Sequence, residues 1–243
     1  MDFELLARYG PRMLEGLFVT VQLVTLSVVI GGAMSLPIAF ARLGKNRWLS
    51  RFAFCYIYFF RGTPLLAQVF LVYYGAGQFR AELEAVGLWW FFRDAFNCAV
   101  FTFTLNTSAY QAEILRGAIK AIPRGQFEAA HAAGLSPFAT YFKVILPQAF
   151  LIGLRPYGNE IILMIKGSAI ASVVTVFDLM GTTRLAFARS FDFQVYLWAA
   201  LLYLAIVETL RRVWDRLEIR MTRHLRPADA NTLRTNGQKQ FQT

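Results

Sequence analysis

Four polar side chains interrupt long apolar runs of this sequence, and two of them carry opposite charges that helix geometry brings to one depth. With about 1.5 Å of rise per residue, Arg61 stands some 13 Å inward of Phe52 and Glu160 about 15 Å inward of Phe150. Asn106 reaches a similar level from Phe96 on the opposite side, and Asn159 adjoins Glu160. Ionisable groups inside a membrane span are costly and mark either a paired structural contact or a solute pathway. Arg61 can hold a carboxylate and Glu160 a cationic group. Equally, the two can satisfy each other as an ion pair that orders a helix bundle, and both readings stay open. Thr102, Thr104, Thr107 and Ser108 read as hydroxyls returning hydrogen bonds to their own helix. Glu113 and Arg116, three apart, read as an interfacial pair. No Ser/His, Cys/His or paired-carboxylate arrangement offers a nucleophile, and His131 and His224 lack companions at metal-ligand spacing. Cys55 and Cys98 fall near opposite ends of neighbouring apolar runs, which places them as packing residues rather than a disulfide.

Such side chains need a frame that holds them at one level, and composition identifies it. The chain is 56% hydrophobic and 16% charged, against about 25% charged in a typical soluble domain. The bilayer is the expected solvent. A hydrocarbon core of about 30 Å needs roughly 20 apolar residues of helix, and such runs occur near 17–40, 52–75, 96–115, 147–177 and 194–214. The expectation is an all-α integral membrane protein with about five transmembrane helices. Sixteen Lys and Arg lie at 42–51, at 116–143 and after 210, against six before 17, at 80–93 and at 184–189. The positive-inside rule then sets the amino terminus outside and the carboxyl terminus in the cytoplasm. It also accounts for the net charge of +10 without nucleic-acid binding. Trp48, Trp89, Trp90, Trp198 and Trp214 fall near the expected interfaces, where an amphipathic indole is favoured. Two spans are weakened at depth, by Gly62-Thr63-Pro64 and by Lys166-Gly167-Ser168.

Residues 1–16 read as a periplasmic leader whose Phe3, Leu5, Leu6, Tyr9 and Met13 suit an interfacial helix, with a frayed segment as the alternative. Asp2, Glu4 and Glu15 exclude a signal-peptide n-region there. Residues 17–226 form the membrane domain, and 227–243 read as a disordered cytoplasmic tail with little to bury.

The polar loop over 117–147 is the most patterned segment. Pro123 precedes an alanine-rich stretch with Glu128, Ala129 and Ala130; Gly134 stops it, and Ser136-Pro137 suits the cap and first turn of the next helix. A short helix with a smooth surface and one fixed charge can dock into a groove on a partner. Glu128-Ala129-Ala130, then Gly134, then Val144-Ile145-Leu146-Pro147 resembles the cytoplasmic EAA loop of permease subunits of binding-protein-dependent ABC importers, with Val144 in place of an isoleucine. Asn106 through Gly117, Ile122 through Gln126, Gly158-Asn159-Glu160 and Phe60 through Leu66 narrow the resemblance to the polar amino acid permeases of the histidine, arginine, glutamine and opine group, over about residues 10–220.

That resemblance implies a multi-pass subunit of the bacterial inner membrane that translocates a polar amino acid, with basic ligands favoured by Glu160, or an opine. It implies pairing with a second permease subunit, identical or homologous. A dimer of cytoplasmic ATP-binding subunits and a periplasmic solute-binding protein would complete the assembly. Glu128, Ala129, Ala130, Gly134, Leu146 and Pro147 would couple to the ATPase, and Arg61, Asn106, Asn159 and Glu160 would face the dimer interior. No G-x-x-x-x-G-K-[ST] occurs in the chain, so ATP and Mg belong to the partner, and this subunit needs no cofactor and is no enzyme. The rival class, a proton-coupled carrier, usually brings inverted repeats and more spans.

Overall fold

The computed structural model describes residues 3–223, and every regular element among them is helical. In chain order these are α1 (Phe3–Leu43), α2 (Arg47–Gly62), α3 (Leu65–Gln78), α4 (Arg80–Ala85), α5 (Trp89–Phe92), α6 (Ala95–Ala121) and α7 (Arg124–Ala132). They continue with α8 (Pro137–Ala139), a π-helical segment (Thr140–Ile145), α9 (Leu146–Gly167), a 3-10 segment (Ser168–Val174), α10 (Leu179–Ser190) and α11 (Gln194–Thr222). The tail expected over 227–243 lies outside the described residues.

Among the described residues three stretches are long and apolar enough to cross a membrane, Ala7–Leu43, Pro137–Val174 and Gln194–Thr222, and the bent pair α2 and α3 would make a fourth. The remaining expected span, the one near 96–115, corresponds to α6, which has 27 residues but is less apolar. Its polarity has a structural reason. α6 runs through the middle of the bundle, packed by α1, α2, α3 and α9, and its neighbours rather than lipid cover its side chains. Phe103 on α6 joins one apolar core with Leu23, Val69, Met164 and Val174. Ala109, Ala112 and Leu115 join a second core with Ala39, Ile57, Ile145 and Ala149. The buried polar run Thr104, Asn106, Thr107 and Ser108 lies between them.

Close approach of α1 to α6 depends on Gly31. A Cβ there would lie 2.6 Å from Thr107 Cγ2 and 3.2 Å from the Thr104 carbonyl oxygen, so any side chain would force the helices apart. Gly158 does the same for α9 and α11: Trp214 covers it and donates its indole N–H to the Leu154 carbonyl at 2.8 Å.

The leader and the first span are one helix, with no break at residue 16. Tyr9 is buried with Ala186 and Val195, and Met13 with Leu179 and Ala199, so these two positions are covered by α10 and α11. The weakened second span is sharply broken, with α2 and α3 meeting at 104° across Thr63-Pro64. Lys166-Gly167-Ser168 marks the place where α9 gives way to the 3-10 segment.

Candidate coupling loop and solute cavity

The loop folds as its punctuation dictates. Pro123 is the N-cap of α7, with φ −56°. Gly134 closes the helix in the left-handed region, φ +72°. The Leu135 amide donates to the Ala130 carbonyl at 3.1 Å and the Gly134 amide to the His131 carbonyl at 2.9 Å, the paired bonds of a Schellman stop. Ser136 Oγ then accepts from the Ala139 amide at 3.2 Å, with Pro137 in the first turn of α8.

One side of α7 faces the bundle. Ala130 is buried, and the Phe127 ring meets Tyr141 edge-on at 6.0 Å. Gln148 Nε2 donates to Gln126 Oε1 at 3.2 Å. The opposite side is open: Glu128 and Ala129 are exposed, and no ion pair holds Glu128 among the described residues. At the far end of the loop the chain widens into the π segment, whose closing bond runs from the Leu146 amide to the Tyr141 carbonyl. Proline lacks an amide donor and its ring clashes with the carbonyl four residues earlier, so a wider turn ahead of Pro147 relieves that conflict.

The structure does not bring the four midplane candidates together. Glu160 is 6% exposed and accepts a hydrogen bond from Thr107 Oγ1 at 3.1 Å; Thr107 Oγ1 in turn accepts from Gln111 Nε2 at 3.2 Å. Gln111 Nε2 also reaches the Val28 carbonyl at 3.1 Å, tying the relay to α1. Glu160 opens onto a cavity of about 440 Å³, walled by Ser35, Gln111, Tyr157, Phe150 and Trp214 among others, and also by Leu146 from the end of the loop.

Asn159, one residue away and about 100° round the helix, is exposed in a separate concavity with Arg155, Arg211 and Glu218. Arg61 is exposed, its guanidinium 5.0 Å from the centre of the Tyr110 ring. None of the five ion pairs among the described residues joins it to Glu160. Asn106 serves the backbone: its Nδ2 donates to the Phe60 carbonyl at 2.9 Å and to Gln68 Oε1 at 3.0 Å. Gln68 Nε2 donates to the Phe60 and Thr63 carbonyls and to Thr63 Oγ1. Together the two amides satisfy the carbonyls freed where α2 breaks.

Sequence reasoning missed Gln68, Gln111 and Tyr157, and it read Thr107 as serving its own helix. A glutamine just past a proline break was the available sign for Gln68, because freed carbonyls inside a membrane require donors. Thr102 and Ser108 do return bonds within α6, to the Cys98 and Leu105 carbonyls at 2.8 Å. Arg116 Nε meets Glu113 Oε2 at 2.9 Å, as their spacing suggested.

Relatives match this chain over most of their length. The nopaline transport system permease protein NocM of Agrobacterium fabrum is 38% identical over 227 residues, 93% of this chain and 94% of the relative. The histidine/lysine/arginine/ornithine transport system permease protein HisM of Escherichia coli K12 is 39% identical, covering 89% of this chain and 91% of its own. A crystal structure of an amino acid ABC transporter with histidines superposes with a TM-score of 0.80 at 34% identity, covering 90% of this chain and 99% of that one. The MetNI methionine ABC transporter, in an inward-facing conformation, shares the fold with a TM-score of 0.66 at 22% identity, over 90% of this chain and 96% of that one. Residues 27–223 match the family described as binding-protein-dependent transport system inner membrane component, and the chain belongs to that family.

Proposed function

We propose that this chain is the permease subunit of an ABC importer that carries a polar amino acid or an opine, with a cationic group on the solute received by Glu160. The carrying observation is the shared cavity wall: Glu160 is buried there beside Gln111, and Leu146, the last apolar residue of the loop, lines the same space. Leu146 and Glu160 both belong to α9, so a displacement of the loop is carried to the carboxylate along that helix. Relatives transporting nopaline and basic amino acids support this class of solute.

In this reading the chain crosses the bacterial inner membrane five times, counting α6, with the amino terminus outside and residues 117–147 in the cytoplasm. Glu128, Ala129, Ala130 and Gly134 present α7 to a dimer of ATP-binding subunits, which hold ATP and Mg, while Leu146 and Pro147 pass the movement to α9. A second permease subunit completes the membrane core, and a periplasmic solute-binding protein delivers the solute. Asn106 acts through the bend it holds. Arg61 and Asn159, on exposed faces, contribute where the second subunit closes against them.

The test is uptake of labelled amino acids into proteoliposomes containing the whole complex. Uptake should require ATP and the binding protein. Glu160→Gln should abolish uptake of cationic solutes while leaving assembly with the ATPase intact. Uptake without ATP, or unchanged cationic uptake in Glu160→Gln, would overturn the reading.

A further inference from the structure

A second concavity, of about 760 Å³, opens where α1 turns into α2 and is lined by Arg42, Lys45, Arg47, Trp48, Arg51 and Phe54, with no acidic residue in its wall. None of these four cations belongs to an ion pair among the described residues. Arg42 is the informative one. Its Nη1 donates to Ser50 Oγ at 3.2 Å and its guanidinium lies 5.0 Å from the Phe54 ring centre, yet its Nε is buried without a hydrogen-bond partner. Ser50 and Phe54 thus hold this guanidinium in the wall of a hollow that offers it no carboxylate, which leaves its charge to be met by an anion from outside the chain.

The helix terminus itself is not that place, since Asn46 Oδ1 already accepts from the Trp48 and Leu49 amides. The surroundings identify the anion's carrier. Trp48 is 81% exposed, Phe52 75% and Leu49 52%, so an apolar surface that water would not favour flanks the cationic hollow. An anionic head group beside acyl chains matches both halves, whereas a free phosphate matches only the first.

From this geometry we infer that the α1–α2 turn is a binding site for an anionic phospholipid, its phosphate held by Arg42 with Lys45, Arg47 and Arg51 and its acyl chains against Trp48, Leu49 and Phe52. The cytoplasmic leaflet is the one concerned if the orientation proposed above holds; the site itself does not depend on that orientation.

The experiment uses the complete transporter in nanodiscs, which expose both membrane faces, with photoactivatable phosphatidylglycerol or phosphatidylcholine as probe and mass-spectrometric mapping of labelled peptides. Phosphatidylglycerol should label residues 42–54 in preference to phosphatidylcholine. Each of Arg42→Gln, Lys45→Gln and Arg47→Gln should lower that labelling by roughly five-fold, with retained ATPase association reporting intact folding. Equal labelling by both lipids, or no loss in the variants, would sink the inference and leave the cations as topology determinants only. Full competition by millimolar inorganic phosphate would reassign the hollow to a free anion. Labelling that appears only when the ATPase subunit is removed would make it a protein contact. Separately, an impermeant maleimide on Lys45→Cys in intact cells tests the orientation: external labelling would refute that part of the proposed function without touching lipid binding.

Discussion

The polar seam on α6 and the loop carrying α7 are both rich in small and polar residues, but they use them in opposite ways. Along the seam, Asn106, Thr107, Ser108 and Gln111 are buried and bonded, Asn106 to the Phe60 carbonyl freed at the bend, Thr107 to Glu160, and Ser108 and Gln111 to helix carbonyls. On α7, Glu128 and Ala129 are exposed, and only Ala130, Phe127 and Gln126 tie the helix down. Burial with bonding at all but the Thr104 hydroxyl, which has no hydrogen-bond partner, makes the seam a structural element that faces one ionisable group, Glu160. Exposure with few ties makes α7 a surface that can take on a partner with little internal rearrangement.

Substitutions can break or sharpen this contrast. The largest effect should come from Gly31→Leu, which drives a side chain into Thr107 and the α6 backbone; overpacking of this kind costs about 1–3 kcal/mol or more and should sharply lower the thermal midpoint of the detergent-solubilised chain. Asn106→Leu should follow, because it takes one of two donors from the Phe60 carbonyl and leaves the buried Gln68 Oε1 without the amide that meets it; a buried unmet group costs about 1–3 kcal/mol, with the loss of protection localised to α2 and α3 in hydrogen exchange. Gly134→Ala should cost about 1–2 kcal/mol, confined to α7 because its left-handed turn is strained, and transport should fall more than the melting temperature suggests. Glu128→Lys should change stability by less than ~0.5 kcal/mol while ATPase association, measured by co-purification, is lost. A Glu128→Lys chain that melts early would show that α7 is a structural member like the seam. The charge exchange Arg61→Glu with Glu160→Arg should give no mutual rescue of uptake, since no ion pair joins the two side chains.

Local punctuation was legible in the sequence. Pro123, Gly134 and Ser136-Pro137 delimit α7 and α8 because each acts through its own backbone, and Gly62-Thr63-Pro64 breaks the second span for the same reason. Direction was not. Asn159 and Glu160 share a level but point apart, and Arg61 lies on an outer face, because rotation about a helix axis is set by packing partners distant in sequence. The burial of Tyr9 and Met13 likewise depends on α10 and α11, which no local pattern near the amino terminus announces. The π segment escaped notice although Pro147 stands beside it, since a proline near a helix start is equally compatible with an ordinary first turn.

That wide turn has a geometric corollary. A π-helical turn advances the chain around its axis by a smaller angle per residue than an α-helical one, so the Thr140–Ile145 segment fixes the rotational phase of α9 against α8. Any tightening of those six residues toward α-helical winding would spin α9 as a rod. The Glu160 carboxylate would swing away from Thr107 and a neighbouring side chain would arrive in its stead. In the function proposed above, such a turn would let a pull at one end of α9 alter which side chain meets the cavity halfway along it.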